Sequence, residues 1–328
     1  MAERLSQAPC RTTQRCAQLA PAGWQTASME KPRLLGPTVV ASMLVTLCGW
    51  SSAWAQASVD GATGLLAKSQ ELKARLADNP FGRPLVLESM ESDSVVEGNV
   101  YAVLDSPFAA VSRTFSHPQR WCDVMILHIN TKYCRAAQST APTRLKVSIG
   151  RKTPQQLGDA FALDFDYALI AAAPDYFSVR LSSEKGPLGT SDYRIEFQAV
   201  PLAENRTFVR LRYAYGYGIA SRVAMQTYLA TVGRGKVGFT PTGPGADNAF
   251  IGGMRGAAER NIMRYYLAIE AYQASLASPE EERVEASLER WFSATERYPK
   301  QLHEVDRSSY LAMKRLEYKR QQSAEPRN

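Results

Sequence analysis

Apolar and polar side chains alternate along five successive segments between Arg144 and Tyr217. In chain order the segments are 144–149, 161–169, 177–182, 192–199 and 208–217. Side chains on a β-strand point to opposite faces in turn, so each segment has one apolar and one polar face. Turn-forming pairs such as Pro174-Asp175 and Glu204-Asn205 separate most of them. The pattern predicts an antiparallel meander with one face against a core and the other in water.

The predicted buried face of this meander is rich in aromatic residues. Its rings are Phe161, Phe165, Tyr167, Phe177, Tyr193, Phe197, Tyr213, Tyr215 and Tyr217. Several are tyrosines, and a buried tyrosine hydroxyl needs a hydrogen-bond partner. Such a face can pack against a helix, line a cavity, or do both.

Helices are predicted after the meander. The longest covers 257–276 and carries one continuous apolar stripe. The stripe consists of Ile262, Tyr265, Ile269, Tyr272 and Leu276. Two more helices follow, from Ser278 to about Arg297 and from about Asp306 to Gln321. The last one has a basic end formed by Lys314, Arg315, Lys319 and Arg320.

Shorter elements are predicted before the meander. Residues 60–77 have helical spacing of leucines, and residues 84–104 form a hairpin. Ser106-Pro107 opens a short helix, His117-Pro118 ends it, and a second short helix carries Trp121.

The N-terminal residues have the pattern of a secretory signal peptide. A short basic segment begins at Met29 and is followed by an apolar run from Leu34 to about Leu47. Ala53-Trp54-Ala55 then matches the A-x-A pattern of a cleavage site. We expect cleavage after Ala55 and a periplasmic or secreted mature chain. We also hypothesise that translation starts at Met29 and that the polar residues before it are an upstream extension. The alternative is a start at Met1 with a long n-region.

Cysteine usage agrees with export. Three of the five cysteines precede the expected cleavage site, and the mature chain keeps Cys122 and Cys134. A lone pair in an oxidising compartment predicts one structural disulfide. A metal site would need His117 and His128 as well, and their spacings fit no standard zinc site, so no metal is predicted.

Two further features speak against cofactor and nucleic-acid binding. Gly233 to Gly238 spells G-x-G-x-x-G, but it follows a predicted helix and precedes a proline-rich stretch, so it does not sit in a strand–turn–helix unit. We expect no cofactor there, and interpret the stretch as a connector or as a loop over a pocket mouth. The net charge of +7 is spread over predicted polar strand faces, which does not indicate a nucleic-acid groove.

The order of elements resembles the helix-grip fold of START-like proteins, the SRPBCC superfamily that includes the Bet v 1 allergens and polyketide cyclases. The strand 99–104 runs into Ser106-Pro107-Phe108, Trp121 ends the small helix pair, and the helix 257–276 matches the long gripped helix. The resemblance covers roughly 82–276. It implies an α+β fold in which a curved antiparallel sheet grips a long C-terminal helix. The extra C-terminal helices depart from the minimal fold.

We therefore divide the chain into four parts. Residues 1–55 are the upstream extension and the cleaved signal peptide, 56–81 hold an N-terminal helix, 82–276 form the START-like domain, and 277–328 form a C-terminal helical extension.

In related domains a hydrophobic ligand lies between the sheet and the long helix. The resemblance then implies a ligand site on the aromatic face. Its expected residues are Phe165, Tyr167, Tyr193, Phe197, Tyr213, Tyr215, Tyr217, Tyr265 and Ile269. Arg255 and Arg264 are candidates for meeting an anionic head group at the rim. The expected function is binding or carrying a lipid-like small molecule.

Two other functions remain open. The chain can instead be a non-catalytic interaction protein with a filled core, in which residues 279–321 dock a protein partner or an anionic membrane surface through their basic end. A cyclase-like enzyme would need an acid–base pair. Asp164 and Asp166 lie on the predicted polar face, where solvation is the simpler role. No catalytic residue is predicted, and an enzyme is the less favoured reading.

Overall fold

A computed structural model describes residues 61–137, 143–231, 235–243 and 249–323. The predicted signal peptide and the start site lie outside the described residues. Of the helices in the described ranges, none has both the length and the apolar character that a membrane span requires.

The centre of the fold is one eight-stranded antiparallel sheet with the order β1-β2-β8-β7-β6-β5-β4-β3. The strands are β1 (Leu85–Glu91), β2 (Val95–Leu104), β3 (Thr131–Ala137), β4 (Arg144–Ile149), β5 (Phe161–Ala172), β6 (Phe177–Lys185), β7 (Thr190–Pro201) and β8 (Thr207–Tyr217). The five alternating segments correspond to β4 through β8, which confirms the predicted meander. Phe161 at the start of β5 was wrongly predicted on the buried face, because 41% of its surface is exposed. Consecutive strands pair with their apolar residues in register, as in Phe197 opposite Leu211.

Helices lie on both sides of this sheet. The described α-helices are α1 (Ala62–Glu71), α2 (Lys73–Ala77), α3 (Phe108–Phe115), α4 (Pro118–Met125), α5 (Ile219–Ala230), α6 (Gly253–Ser275), α7 (Arg283–Thr295), α8 (Pro299–Leu302) and α9 (Arg307–Gln322). Short 3-10 turns cover Leu157–Asp159, Pro187–Gly189 and Glu280–Glu282.

The long helix α6 packs against β1, β2 and β8 on the inner face of the curved sheet. Its buried residues include Ile262, Tyr266 and Ile269. The closest approach is at Gly98 in β2, where an added Cβ would lie 3.1 Å from Cγ2 of Ile262. A glycine at this point lets the helix backbone come close to the sheet. The predicted α+β helix-grip architecture is confirmed.

The opposite face of the sheet is covered by α1 and α2. Leu65, Leu72 and Leu76 form a second, smaller apolar cluster with Tyr101 and Phe208. Alternation along β2 explains the division, because Val100 and Ala102 join the main core while Tyr101 between them points to the other side.

The C-terminal helices are part of the main core. Trp291 of α7 donates from Nε1 to the carbonyl oxygen of Arg264 in α6 at 3.0 Å. Its ring stacks on Tyr310 of α9 with centroids 4.9 Å apart, and the Tyr310 hydroxyl donates to the Leu127 carbonyl oxygen at 2.8 Å. The domain boundaries given above remain predictions.

The predicted disulfide joins Cys122 in α4 to Cys134 in β3, with Cα atoms 5.0 Å apart. That separation lies in the normal range for a disulfide. The bridge ties the small helix pair to the edge strand of the sheet.

The glycine-rich segment is a tightly packed connector where it is described. Pro241 pairs with Phe250, and Gly238 donates its N–H to the Ile251 carbonyl oxygen at 2.7 Å. A Cβ at Gly238 would lie 2.4 Å from Oε2 of Glu259 and 2.9 Å from Cα of Gly256. Buried Glu259 accepts hydrogen bonds from Thr240 N and Oγ1 at 2.9 and 2.6 Å, which fixes this segment on α6.

Candidate functional site

The nine predicted ligand residues lie in the main core around the inner face of the sheet and α6. Eight of them are buried, and Tyr265 is partly buried. They do not form one patch. Judged by the rings that each residue contacts, most of them fall into two separate groups. Tyr217 lies at the end of β8, and Ile269 lies on α6.

The first group is a cluster of four tyrosines. Tyr193 stacks on Tyr215 with ring centroids 5.2 Å apart, and Tyr213 contacts Tyr193 at 6.1 Å and Tyr215 at 5.7 Å. Tyr265 of α6 completes the cluster, 5.8 Å from Tyr213. The cluster therefore joins β7, β8 and the long helix.

Burial raises the pKa of these tyrosines above the ordinary value of 10. The hydroxyl of Tyr193 shares a 2.8 Å hydrogen bond with Oγ1 of Thr190, and Asn261 of α6 hydrogen-bonds to Tyr213. All four tyrosines are neutral near pH 7, so the cluster offers an apolar surface with a few neutral polar groups.

The second group packs under the small helix pair. Phe197 makes edge contacts with Phe115 at 5.1 Å and Trp121 at 5.9 Å. Tyr167 donates to the Ser116 carbonyl oxygen at 2.8 Å, and burial raises its pKa to about 12. Phe165 is buried in the same core cluster. These contacts hold α3 and α4 on the sheet.

Tyr217 lies where β8 meets the β1–β2 turn. Its hydroxyl donates to the Ser92 carbonyl oxygen at 2.5 Å, and Arg222 of α5 lies over its ring at 5.3 Å. Glu91 accepts from Tyr217 at 3.2 Å and from the backbone N–H of Arg255 at 3.1 Å. Arg255 therefore lies near Tyr217, and its role at the rim of a ligand site stays a prediction.

Arg264 is in a different position from the one expected. It is buried, with 2% of its surface exposed, and its Nη2 pairs with Oε1 of Glu304 at 2.7 Å. Lys152 and Lys236 pair with the same carboxylate at 2.7 and 3.3 Å. The prediction of Arg264 as a rim residue was wrong, because the helices after α6 cover this part of the long helix.

His128 lies beside the tyrosine cluster, a position that the sequence did not predict. Its ring stacks on Tyr265 with centroids 4.7 Å apart, and its Nδ1 accepts from the Asn130 N–H at 3.2 Å. The proton is therefore on Nε2, which is buried and has no partner among the described residues. Burial, together with the nearby cations Arg264 and Lys314, holds the pKa of His128 well below its usual value. No sequence pattern flags a lone histidine in a turn.

Comparisons with known proteins give structural likeness alone. No family model matches the chain. No curated protein matches it in sequence either. The structural matches include truncated norcoclaurine synthase from Thalictrum flavum, with 9% identity over 44% of this chain and 91% of that chain, at a TM-score of 0.31.

Two further matches are of the same kind. The Zhui aromatase/cyclase from Streptomyces sp. R1128 has 10% identity over 64% of this chain and 99% of that chain, at a TM-score of 0.30. Ara h 8.0201 has 10% identity over 55% and 99%, at a TM-score of 0.32. TM-scores of this size carry no inference. The chain has the helix-grip fold. That assignment rests on the strand order and on the packing of α6.

Within the described ranges, no group of three or more His, Cys, Asp or Glu side chains could hold a metal ion. Asp164 and Asp166 lie on the outer side of β5, and Asp166 forms an exposed ion pair with Arg144 at 3.0 Å. Around the tyrosine cluster, the core carries tyrosine hydroxyls and one imidazole that are neutral near pH 7, beside apolar rings.

Proposed function

We propose that this chain is exported to the periplasm and binds or carries a hydrophobic, lipid-like small molecule between the sheet and α6, without changing it chemically. The observation that carries the proposal is the tyrosine cluster on the inner face together with His128 Nε2–H, a buried donor with no acceptor in the part of the chain that the structure describes. Small-molecule sites are mostly apolar, with a few polar groups that fix orientation.

The protonation states favour binding over proton transfer. Burial raises the pKa of Tyr193 and Tyr265, and it lowers the pKa of His128. None of these groups changes charge near neutral pH, whereas an acid–base catalyst works best with a pKa near the operating pH. A neutral imidazole N–H can instead donate to a carbonyl, ester or hydroxyl oxygen of a bound molecule.

Export is supported by the leader-like residues 29–55 and by the Cys122–Cys134 bridge. Disulfides form and persist in oxidising compartments such as the bacterial periplasm.

The alternative, an interaction protein with a filled core, is favoured by the mutual packing of the rings. Tyr193, Tyr213 and Tyr215 contact one another directly, as core side chains do. The basic end of α9 is less suited to docking than the sequence suggested. Lys314 is fully buried, and Arg315 pairs with Glu285.

Native mass spectrometry of the mature protein from a periplasmic extract tests the two functions. A discrete co-purifying mass of lipid size, identified after denaturation, is the expected result. A clean mass of the protein alone, with no uptake from a total lipid extract, would contradict ligand binding and favour the interaction protein.

Matched tyrosine variants locate the ligand. Tyr213→Phe keeps the ring but removes a hydroxyl of the inner face, and should change the amount or the head group of the bound lipid. Tyr101→Phe is the control, because Tyr101 stacks on Phe208 in the cluster on the other side of the sheet. Equal effects of both substitutions would place the ligand elsewhere.

A further inference from the structure

A cavity lies outside the space between the sheet and α6. It has a volume of about 120 Å³, is partly open to solvent, and is lined by the end of α4, the end of α6, α7 and α9. Two of these helices belong to the C-terminal extension that the minimal helix-grip fold lacks. The added helices therefore create a space that the gripped sheet alone does not contain.

One side of this cavity is apolar. Its walls include Ile126, Leu127, Leu276, Val284 and Leu288. An apolar cavity of about 150 Å³ is large enough to take up benzene. The volume here suits one six-membered ring and is too small for a lipid chain with its head group.

The other side carries a compact polar group. Nη1 of Arg120 donates to Oδ2 of Asp123 at 3.2 Å and to the hydroxyl of Tyr272 at 3.3 Å, and that hydroxyl donates to the same Oδ2 at 3.3 Å. All three bonds are longer than the usual length for charge-assisted contacts. Tyr318 of α9 lines the cavity beside them. A guest molecule would meet an acceptor and several donors at this end.

The charges around the cavity balance. Arg120 and Arg283 are matched by Asp123 and Glu280 among the lining residues. Burial raises the pKa of Asp123 and of Tyr318, so the surroundings disfavour added charge. A charged guest would have to leave water without gaining a matching counter-ion. These properties select a neutral molecule.

We propose that this cavity binds a neutral single-ring phenol or alcohol, with the ring against Val284 and Leu288 and the hydroxyl between Asp123 and Arg120. The hydroxyl donates to the Asp123 carboxylate and accepts from the Arg120 guanidinium. Binding here is separate from the lipid-like ligand proposed above, and either site can be correct without the other.

Isothermal titration of the mature chain with phenol tests the proposal. We expect one phenol per chain, weaker binding of toluene, and no binding of benzoate. Val284→Phe fills the cavity and should weaken phenol binding at least about tenfold. Val223→Phe is the matched control, because Val223 on α5 is 57% exposed and lies outside the cavity. It should bind phenol as the wild type does.

Asp123→Asn gives a second test if Val284→Phe does not fold, which circular dichroism and thermal melting would reveal. Replacing the carboxylate with a neutral amide should weaken phenol binding by about threefold to tenfold and leave toluene unchanged. Lack of phenol binding by the wild type, or unchanged binding in both the Val284 and Asp123 variants, would overturn the proposal.

Discussion

At the scale of single residues, the least expected feature is a group of buried charges where α9 meets β3. Lys132 and Lys314 are fully buried, and both hold the carboxylate of Glu317, at 2.9 and 2.7 Å. Lys314 also donates to the carbonyl oxygens of His128 at 3.0 Å and Thr131 at 2.6 Å. Two ammonium groups share one carboxylate in a water-poor site, so burial lowers the pKa of both lysines.

This group of buried charges should make a contribution to the free energy of unfolding that increases with pH. The pKa of Lys314 is lowered to about 8 from an ordinary 10.5. Between these values the unfolded chain binds more protons than the folded chain, so the free energy of unfolding increases as pH rises. Below pH 8 both states hold the proton and this slope disappears. From about pH 9 upward the unfolded chain's tyrosines ionise before the buried ones, which opposes the effect.

Urea unfolding at pH 8 and pH 10 should show the wild type gaining about 1–2 kcal/mol over this interval relative to Lys314→Met, because the tyrosine contribution is common to both chains and cancels in the comparison. A difference between the two chains that stays constant from pH 8 to pH 10 would show that Lys314 keeps its proton in the fold.

Gly238 provides a second residue-scale prediction. Gly238→Ala places a Cβ against the backbone of Gly256 and the carboxylate of Glu259, so the connector has to shift away from α6. We expect a loss of about 1–3 kcal/mol in the free energy of unfolding. Gly158→Ala is the control, because a Cβ there has nothing within 4 Å and should change stability by less than about 0.5 kcal/mol. Equal losses would mean that the close approach at Gly238 is not what limits that position.

At the scale of elements, the edge strand β3 is held from two sides. The disulfide fastens it to α4, and Lys132 fastens it to α9. Edge strands of open sheets expose unpaired backbone groups, and covering helices remove that risk. The C-terminal helices are therefore structural parts of the grip, and deleting residues 279–328 would remove the core residues Trp291 and Tyr310 and expose the part of the core that they cover.

The disulfide should contribute measurably to stability. Its cysteines are 12 residues apart, and closing a loop of this size stabilises the fold by about 3 kcal/mol in the chain-entropy model. Replacing both Cys122 and Cys134 with serine should lower the free energy of unfolding by about that amount. Reduced wild-type protein should unfold at the same urea concentration as the variant, and a clear difference between them would point to a role of the serines themselves.

At the scale of the whole molecule, the proposed function includes export, which is a prediction from the N-terminal sequence. If residues 1–55 are removed at the predicted site, N-terminal mass spectrometry of the secreted protein should give Gln56 as the first residue. Replacing Ala55 with a large residue such as Phe should block processing, because the signal peptidase site needs small side chains. A mature N-terminus before Met29 would contradict both the cleavage site and the proposed start.

Local patterns in the sequence determined the meander, the long helix and the resemblance to the helix-grip fold. Alternation with a period of two and apolar stripes with a period near 3.6 are properties of neighbouring residues, so they can be read without knowing the fold. The Cys122–Cys134 pair was equally accessible, because the two cysteines expected to remain in the mature chain allow one pairing.

Tertiary structure alone decided which of these residues meet. The resemblance placed nine residues of the sheet and the long helix around one ligand site, but packing separated Tyr193, Tyr213, Tyr215 and Tyr265 from the rings that hold α3 and α4. It also buried residues that local pattern assigned to solvent, such as Lys314, and brought His128 onto Tyr265. Contacts between residues more than a hundred positions apart depend on how whole elements pack, and the local spacing of apolar residues contains no information about them.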